Sequence, residues 1–258
     1  MGCIHTITCR PLSDFVDFLW LSESYVQPHA AERILPSANM GLVLNLDERG
    51  QAHGMLSGAR TRSLILDTSK PLSLIGASFK PGGGFPFAGS AADLHDLSVS
   101  VDALWGRRAC TLRARLLEAS TAPARFHILE SFLLEQVIRG PDRNPAVKYA
   151  LDAFHNTAGG VSVAAVTEHT GFSARRFIEM FRHEVGITPK LYCRLTRFRA
   201  AVGAIASLPT VDWAATASAC GYFDQPHLIH EFHEFAGMSP SAYLRLRTAS
   251  PNHVRLPD

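Results

Sequence analysis

Apolar and polar residues change rhythm near residue 100. Before it, short apolar runs are bounded by turn-forming residues: Leu42–Leu46, Ser63–Leu66 and Leu72–Phe79. Such runs between Gly, Asp and Pro clusters predict strands, with turns at Asp47–Gly50 and Asp67–Pro71. Lys80–Phe87 holds three glycines and two prolines. It is expected to be a loop, because neither residue type sustains a helix. Beyond residue 100, apolar residues recur three and four apart in Val101–Trp105, Thr111–Ala119 and Ala124–Arg139, which predicts helices. From Pro145 onward almost everything reads as helix, cut by Gly, Pro and capping residues into about seven short segments. The turn-favouring run Gly140–Pro145 predicts a hinge, so the chain is expected to divide into residues 1–140 and 145–248.

Within the second part the pattern repeats. Ser162–Phe181 and Thr210–Phe232 each contain a capping hydroxyl (Ser162, Thr210) and a short helix of small residues. A glycine (Gly171, Gly221), an aromatic, a second cap (Ser173, Asp224) and an amphipathic helix follow. Each unit closes with glycine and proline, Gly186–Pro189 and Gly237–Pro240. This is the layout of a helix-turn-helix, stated twice. Ala164, Ala165, Ala214 and Ala215 are expected to line the contact between paired helices. Phe177, Phe181, Leu228, Phe232 and Phe235 form the buried stripes. That turns Arg175, Arg176, Glu179 and Arg182 outward in the first unit, and Gln225, His227, His230 and Glu234 in the second. Pro189–Ser207 between the units reads as one helix spanning roughly 27 Å at about 1.5 Å per residue. With turns added, this approaches the roughly 34 Å between successive major grooves on one face of DNA.

Composition narrows the possibilities. The chain has 258 residues, 47% hydrophobic and 19% charged, with a formal charge of +2. It is too apolar for disorder, and any affinity for nucleic acid must come from local charge. Arg175–Arg199 supplies that, with seven basic residues against Glu179 and Glu184. No apolar run reaches about 18 residues, so no membrane span is expected, and the first residues do not resemble a secretory signal. Five scattered cysteines suit a reducing cytoplasm. His29, His53 and His95 have no metal-ligand spacing. No Ser-His-Asp or paired-carboxylate arrangement stands at motif spacing, so no enzymatic role, catalytic residue, metal or cofactor is expected.

The residues Gly221-Tyr-Phe-Asp-Gln-Pro-His-Leu228, Phe232, Gly237-Met-Ser-Pro240 and Tyr243 resemble the DNA-binding domain of the AraC/XylS family of bacterial transcription regulators. Gly171-Phe-Ser173, Phe177, Phe181, Gly186, Pro189-Lys190 and Arg197-Phe198 match in the first unit. The resemblance implies a bihelical domain that binds promoter DNA, with RNA polymerase as a further partner and activation as the usual outcome. In the family pattern arginine and lysine are usual at the positions of His230 and His233, and arginine is frequent at that of Glu179. From Asp212 to Glu234 there are four acidic residues and no Lys or Arg. Histidine ordinarily titrates near about 6.5, so the second unit is expected to anchor phosphates weakly near neutral pH. The expected DNA-contacting residues are Ser173, Arg175, Arg176, Glu179, Arg182, Lys190, Arg194, Arg197, Gln225, His227 and His230. Among them Arg175 or Arg176 reads bases, Gln225 reads adenine, and Lys190, Arg194 and Arg197 hold phosphates.

Phe15–Trp20, Ile34–Pro36, Gly41–Leu46, Ile75–Gly83 and Leu104–Gly106 resemble an N-terminal domain carried by some AraC-type regulators. It implies a β-rich sensory or dimerisation domain, hence a small-molecule effector and a homodimer. Trp20, Phe79, Phe85, Phe87 and Trp105 are candidate pocket residues, although such aromatics more often simply fill a core. The expected fold class is α+β: a β-rich N-terminal domain with trailing helices, then an all-α domain with two helix-turn-helix units. Two other readings accommodate the same module. A DNA-repair alkyl-transfer enzyme would need a zinc-bound or activated cysteine, of which Cys3 and Cys9 supply half a cluster. An architectural DNA-binding protein would coat DNA without a discrete site.

Overall fold

The computed structural model describes residues 3–7, 10–25, 29–47, 53–69, 72–139, 142–157, 160–207 and 210–256. Parts of both predicted turns, Cys9, and Gly140 and Pro141 of the predicted hinge lie outside the described residues. The strands are β1 Cys3–Ile7, β2 Val16–Tyr25, β3 Ala31–Ile34, β4 Gly41–Asn45, β5 Gly54–Ser57, β6 Leu64–Asp67, β7 Leu72–Phe79, β8 Ser98–Ser100 and β9 His253–Arg255. The helices of the first half are α1 Phe85–Ala88, α2 Val101–Trp105, α3 Arg107–Glu118 and α4 Ala122–Arg139. Seven more follow: α5 Pro145–Asn156, α6 Val163–Thr170, α7 Ala174–Val185, α8 Pro189–Ser207, α9 Trp213–Ala219, α10 Gln225–Ala236 and α11 Pro240–Leu246.

Six strands form an antiparallel sheet in the order β1-β2-β7-β4-β5-β8. Alternation along β4 turns Leu42 and Leu44 into the core, where they meet Leu19, Ile75 and Phe79 beneath Leu129 and Leu133 of α4. The predicted strands correspond to β4, β6 and β7. The longest strand, β2, carries Trp20, Glu23 and Ser22 among its apolar residues, which obscures its period. The predicted loop Lys80–Phe87 instead begins the short helix α1. Pro86 is tolerated there because it lies in the first turn, where its missing N–H has no partner to lose.

The second core belongs to the helices and is aromatic: Phe154, Phe177, Phe181, Phe198, Phe232 and Tyr243 are fully buried. It does not end at the predicted hinge, because Leu35, Ala38 and Ala59 of the first half are part of it. The end of the chain also returns. β9 pairs with β3, which pairs with β6, in a second sheet of three strands. This three-residue strand was not predicted in a segment read as helical. Its Val254 is fully buried, and His253 Nδ1 lies 2.7 Å from Glu32, whose other oxygen meets His29 at 2.6 Å. A buried carboxylate between two imidazoles therefore fastens the chain end to the first half.

Candidate nucleic-acid interface

The two helix-turn-helix units are α6–α7 and α9–α10. Ser162 Oγ accepts from the Ala165 N–H at 3.1 Å, starting α6. In the second unit the cap is Asp212 rather than Thr210. Its carboxylate accepts from both Ala214 and Ala215 N–H at 3.0 Å, satisfying two donors where a hydroxyl at Thr210 would lie outside the turn. The caps set the phase of each short helix. Positions four and five beyond them, Val166 and Thr167 or Thr216 and Ala217, turn inward and are buried. Positions two and three, about half a turn away, are Ala164, Ala165, Ala214 and Ala215, and all four are exposed. The predicted alanine contact is therefore corrected: these alanines form an outer face.

Gly171 and Gly221 follow with φ of 71° and 74°, the left-handed region that lets each chain reverse tightly. The second turn is one residue longer, and the extra residue, Phe223, is 92% exposed. Ser173 Oγ then accepts from the Arg176 N–H at 3.3 Å, and Asp224 from the His227 N–H at 2.8 Å, as predicted. The predicted stripes Phe177, Phe181, Leu228, Phe232 and Phe235 are buried.

The outward face of α7 is cationic. Arg175, Arg176, Glu179 and Arg182 are exposed, with Lys190 at the start of α8. Arg175, whose side chain is 90% exposed, meets Glu179 at 3.1 Å. A surface pair of this kind is worth about 0.3–0.5 kcal/mol and opens readily for a stronger acceptor. On α10, His230, His233 and Glu234 are exposed, and Gln225 and His227 half-buried. The Phe223 N–H donates to His227 Nδ1 at 3.3 Å, so a neutral ring carries its proton on Nε2 and offers a donor outward.

The linker helix α8 has the predicted bounds, but two of its three candidate phosphate contacts are engaged inside the fold. Arg194 lies 2.7 Å from buried Glu231 and also bonds Glu234, with its guanidinium 5.2 Å over the Phe235 ring. The Glu231 and Glu234 carboxylates raise its pKa. Arg197 donates to the Gly221 carbonyl at 3.2 Å and lies over Tyr222. Both arginines fasten α8 to the second unit. Their partners stand 24–40 residues further along the chain, beyond the reach of local pattern.

The five aromatics proposed to line a pocket are packing residues. Phe79 and Phe87 stack at 4.7 Å, Phe85 meets His183 of α7 edge-on, Trp105 lies against Phe132, and the Trp20 ring covers Gly76. None borders the cavity of about 800 Å³ between the two halves. Among the described residues, one group brings three metal-ligating types together: His53, Asp102 and Cys110, with ligand atoms within 4.8 Å of one another. The His53–Asp102 contact is a 2.7 Å hydrogen bond.

Residues 166–246, covering most of both units, match a family model described as a helix-turn-helix domain. The C-terminal region is an AraC-type helix-turn-helix domain. Residues 6–100 match a second model, described as a domain of unknown function (DUF6597). No curated protein matches the chain. Among solved structures, the C-terminal domain of AraT, a response regulator from Geobacillus stearothermophilus, is similar over 43% of this chain and 92% of its own, at 22% identity and a TM-score of 0.39. ToxT from Vibrio cholerae is similar over 96% of this chain and 99% of its own, at 10% identity and a TM-score of 0.44. The first family match assigns residues 166–246, from α6 to the end of α11, to a helix-turn-helix domain. No helix of the described residues is long and apolar enough to cross a membrane.

Proposed function

We propose that the chain is a sequence-specific regulator of transcription that inserts α7 and α10 into successive major grooves of promoter DNA. The observation carrying this reading is the pair of capped helix-turn-helix units with exposed outer faces, joined by a single 19-residue helix. In this reading Arg175 and Arg176 present donors to base edges, where a bidentate arginine–guanine pair discriminates by about 1–3 kcal/mol. Arg182 and Lys190 hold phosphates, while Gln225, His227 and His230 read the second half-site. Arg194 and Arg197 act by positioning α10. Residues 145–248 form the DNA-binding unit and residues 1–140 the sensory or dimerisation unit, through which a small-molecule effector acts in the cytoplasm. RNA polymerase is the partner for activation, and the protein carries out no reaction of its own.

Genomic footprinting with the purified full chain tests the proposal. A small set of discrete protected sites supports it. Uniform coating would identify an architectural protein, and repair of alkylated DNA by the chain would identify an enzyme.

A further inference from the structure

The cavity of about 800 Å³ lies where the two halves meet, within the size range of small-molecule sites. One wall comes from β2, Ser37–Asn39 and the end of β7. The other comes from α5, α8 and Asn252. Its charges are arranged unequally. Asp14, Asp17, Asp152, Lys80 and Lys148 are exposed, on the rim. There Lys148 pairs with Asp14 at 3.7 Å, and Arg143 donates to the Asp14 and Pro81 carbonyls.

Arg143 satisfies two guanidinium nitrogens in this way and leaves its Nε buried and unpartnered, whereas Arg199 of α8 makes no side-chain hydrogen bond among the described residues. The Arg199 Nη1 is buried without a hydrogen-bond partner, and no carboxylate pairs with it among the described residues. Burial lowers its pKa, opposed only by the nearby Tyr243. Asn252 Oδ1, on the same cavity, is likewise buried and unpartnered. A guanidinium nitrogen buried without an acceptor is costly, and an anion bound against it removes the cost. The acids at the rim suit hydroxyl donors on the remainder of the same molecule.

We propose that this cavity binds a small hydroxylated organic anion, its carboxylate or phosphate resting on Arg199, and that the bound molecule ties the first half to the linker helix. This deepens the effector reading above and rests on it: the effector would act on the rod between the two DNA-reading units, without passing through the aromatic core of the first half. A molecule held at once by α8 and the Ser37–Asn39 loop favours one placement of α8 against the sheet. Linkage then requires DNA affinity and anion affinity to shift each other by the same factor.

Thermal melting of the full chain without DNA gives the test. Gluconate represents a hydroxylated carboxylate and glycerol 3-phosphate a hydroxylated phosphate, each set against chloride at equal ionic strength. The expected result is a saturable rise in Tm with at least one probe, which also identifies the anionic group. Arg199→Gln should abolish that rise while leaving the Tm of the unliganded chain unchanged or higher, since it removes an unpaired, half-buried charge. No rise with either probe, or a rise that survives Arg199→Gln, overturns the proposal. Failure to bind DNA in either state would refute the regulator reading while leaving the melting result standing.

Discussion

The two helix-turn-helix units share caps, turns and burial pattern, yet they spend their charges differently. In α6–α7 the arginines face solvent, and the Arg175–Glu179 ion pair on the outer face is exposed on both sides. In α9–α10 the outer face carries imidazoles, an amide and a carboxylate, and the nearby arginines of α8 turn inward as clamps. Similar backbones therefore support different tasks. In the proposed reading the first unit both grips DNA and reads bases through Arg175 and Arg176, while the second, held from behind by Arg194 and Arg197, offers a reading face without Lys or Arg. Counting basic residues along Arg175–Arg199 overstates the free positive charge, because Arg194 and Arg197 are already committed and Arg199 faces the cavity.

Breaking the clamp should have the largest effect. Arg194→Ala leaves the Glu231 carboxylate buried without its partner. Removing one member of a buried pair costs about 3–5 kcal/mol, and partial exposure of Arg194 places this case near 3 kcal/mol. Calorimetry should show a lowered Tm, and Arg194→Ala with Glu231→Gln should recover part of it. An unchanged Tm would mean that Arg194 is not a clamp.

The difference in DNA contacts comes next. Arg176→Ala should weaken operator binding by about 1–3 kcal/mol and relax the base preference at one position. His230→Ala should cost less at neutral pH. Titrations by fluorescence anisotropy decide the order, and a larger loss for His230→Ala would reverse the roles given to the two units. A smaller and purely electrostatic effect belongs to Lys190→Ala. The slope of log affinity against log salt should fall by about 0.9 with sequence preference intact.

The smallest effect concerns Glu184, buried at the end of α7, where its Oε1 accepts from the Asn144 N–H at 2.8 Å and Oε2 has no partner. Burial raises its pKa above the ordinary 4.5, against the lowering influence of the Asn144 hydrogen bond and Arg143. Its favourable contribution is complete below pH 4.5 and lost as pH rises through the folded-state pKa. Glu184→Gln should therefore raise Tm at neutral pH by a few degrees, about 1 kcal/mol or less, with the gain vanishing at low pH. Melting curves across pH 4–8 provide the check.

What the sequence disclosed was local. The caps Ser173 and Asp224, the left-handed glycines, the aromatic stripes and the bounds of α8 all depend on neighbours within a turn or two, and each was legible. Short-range pattern failed where a partner is remote. Arg33 donates to the Ala236 carbonyl, 203 residues away, and β9, near the end of the chain, pairs with β3 of the first half. The cavity between the halves was not legible for the same reason. Aromatic residues signal burial, while the cavity is bordered by groups such as Ser37, Arg199 and Asn252, which no single segment brings together. Phe223 had a signal that was passed over: a large apolar residue inserted into a turn one residue longer than its counterpart.

Guanine-methylation interference on a footprinted operator bears most directly on the central claim, using the full chain and its Arg176→Ala variant. The expected pattern is two interfering major-groove clusters about ten base pairs apart on one face, with the variant losing contacts in only one of them. A single cluster, two clusters on opposite faces, or a variant that weakens both equally would contradict the division of labour between the two units.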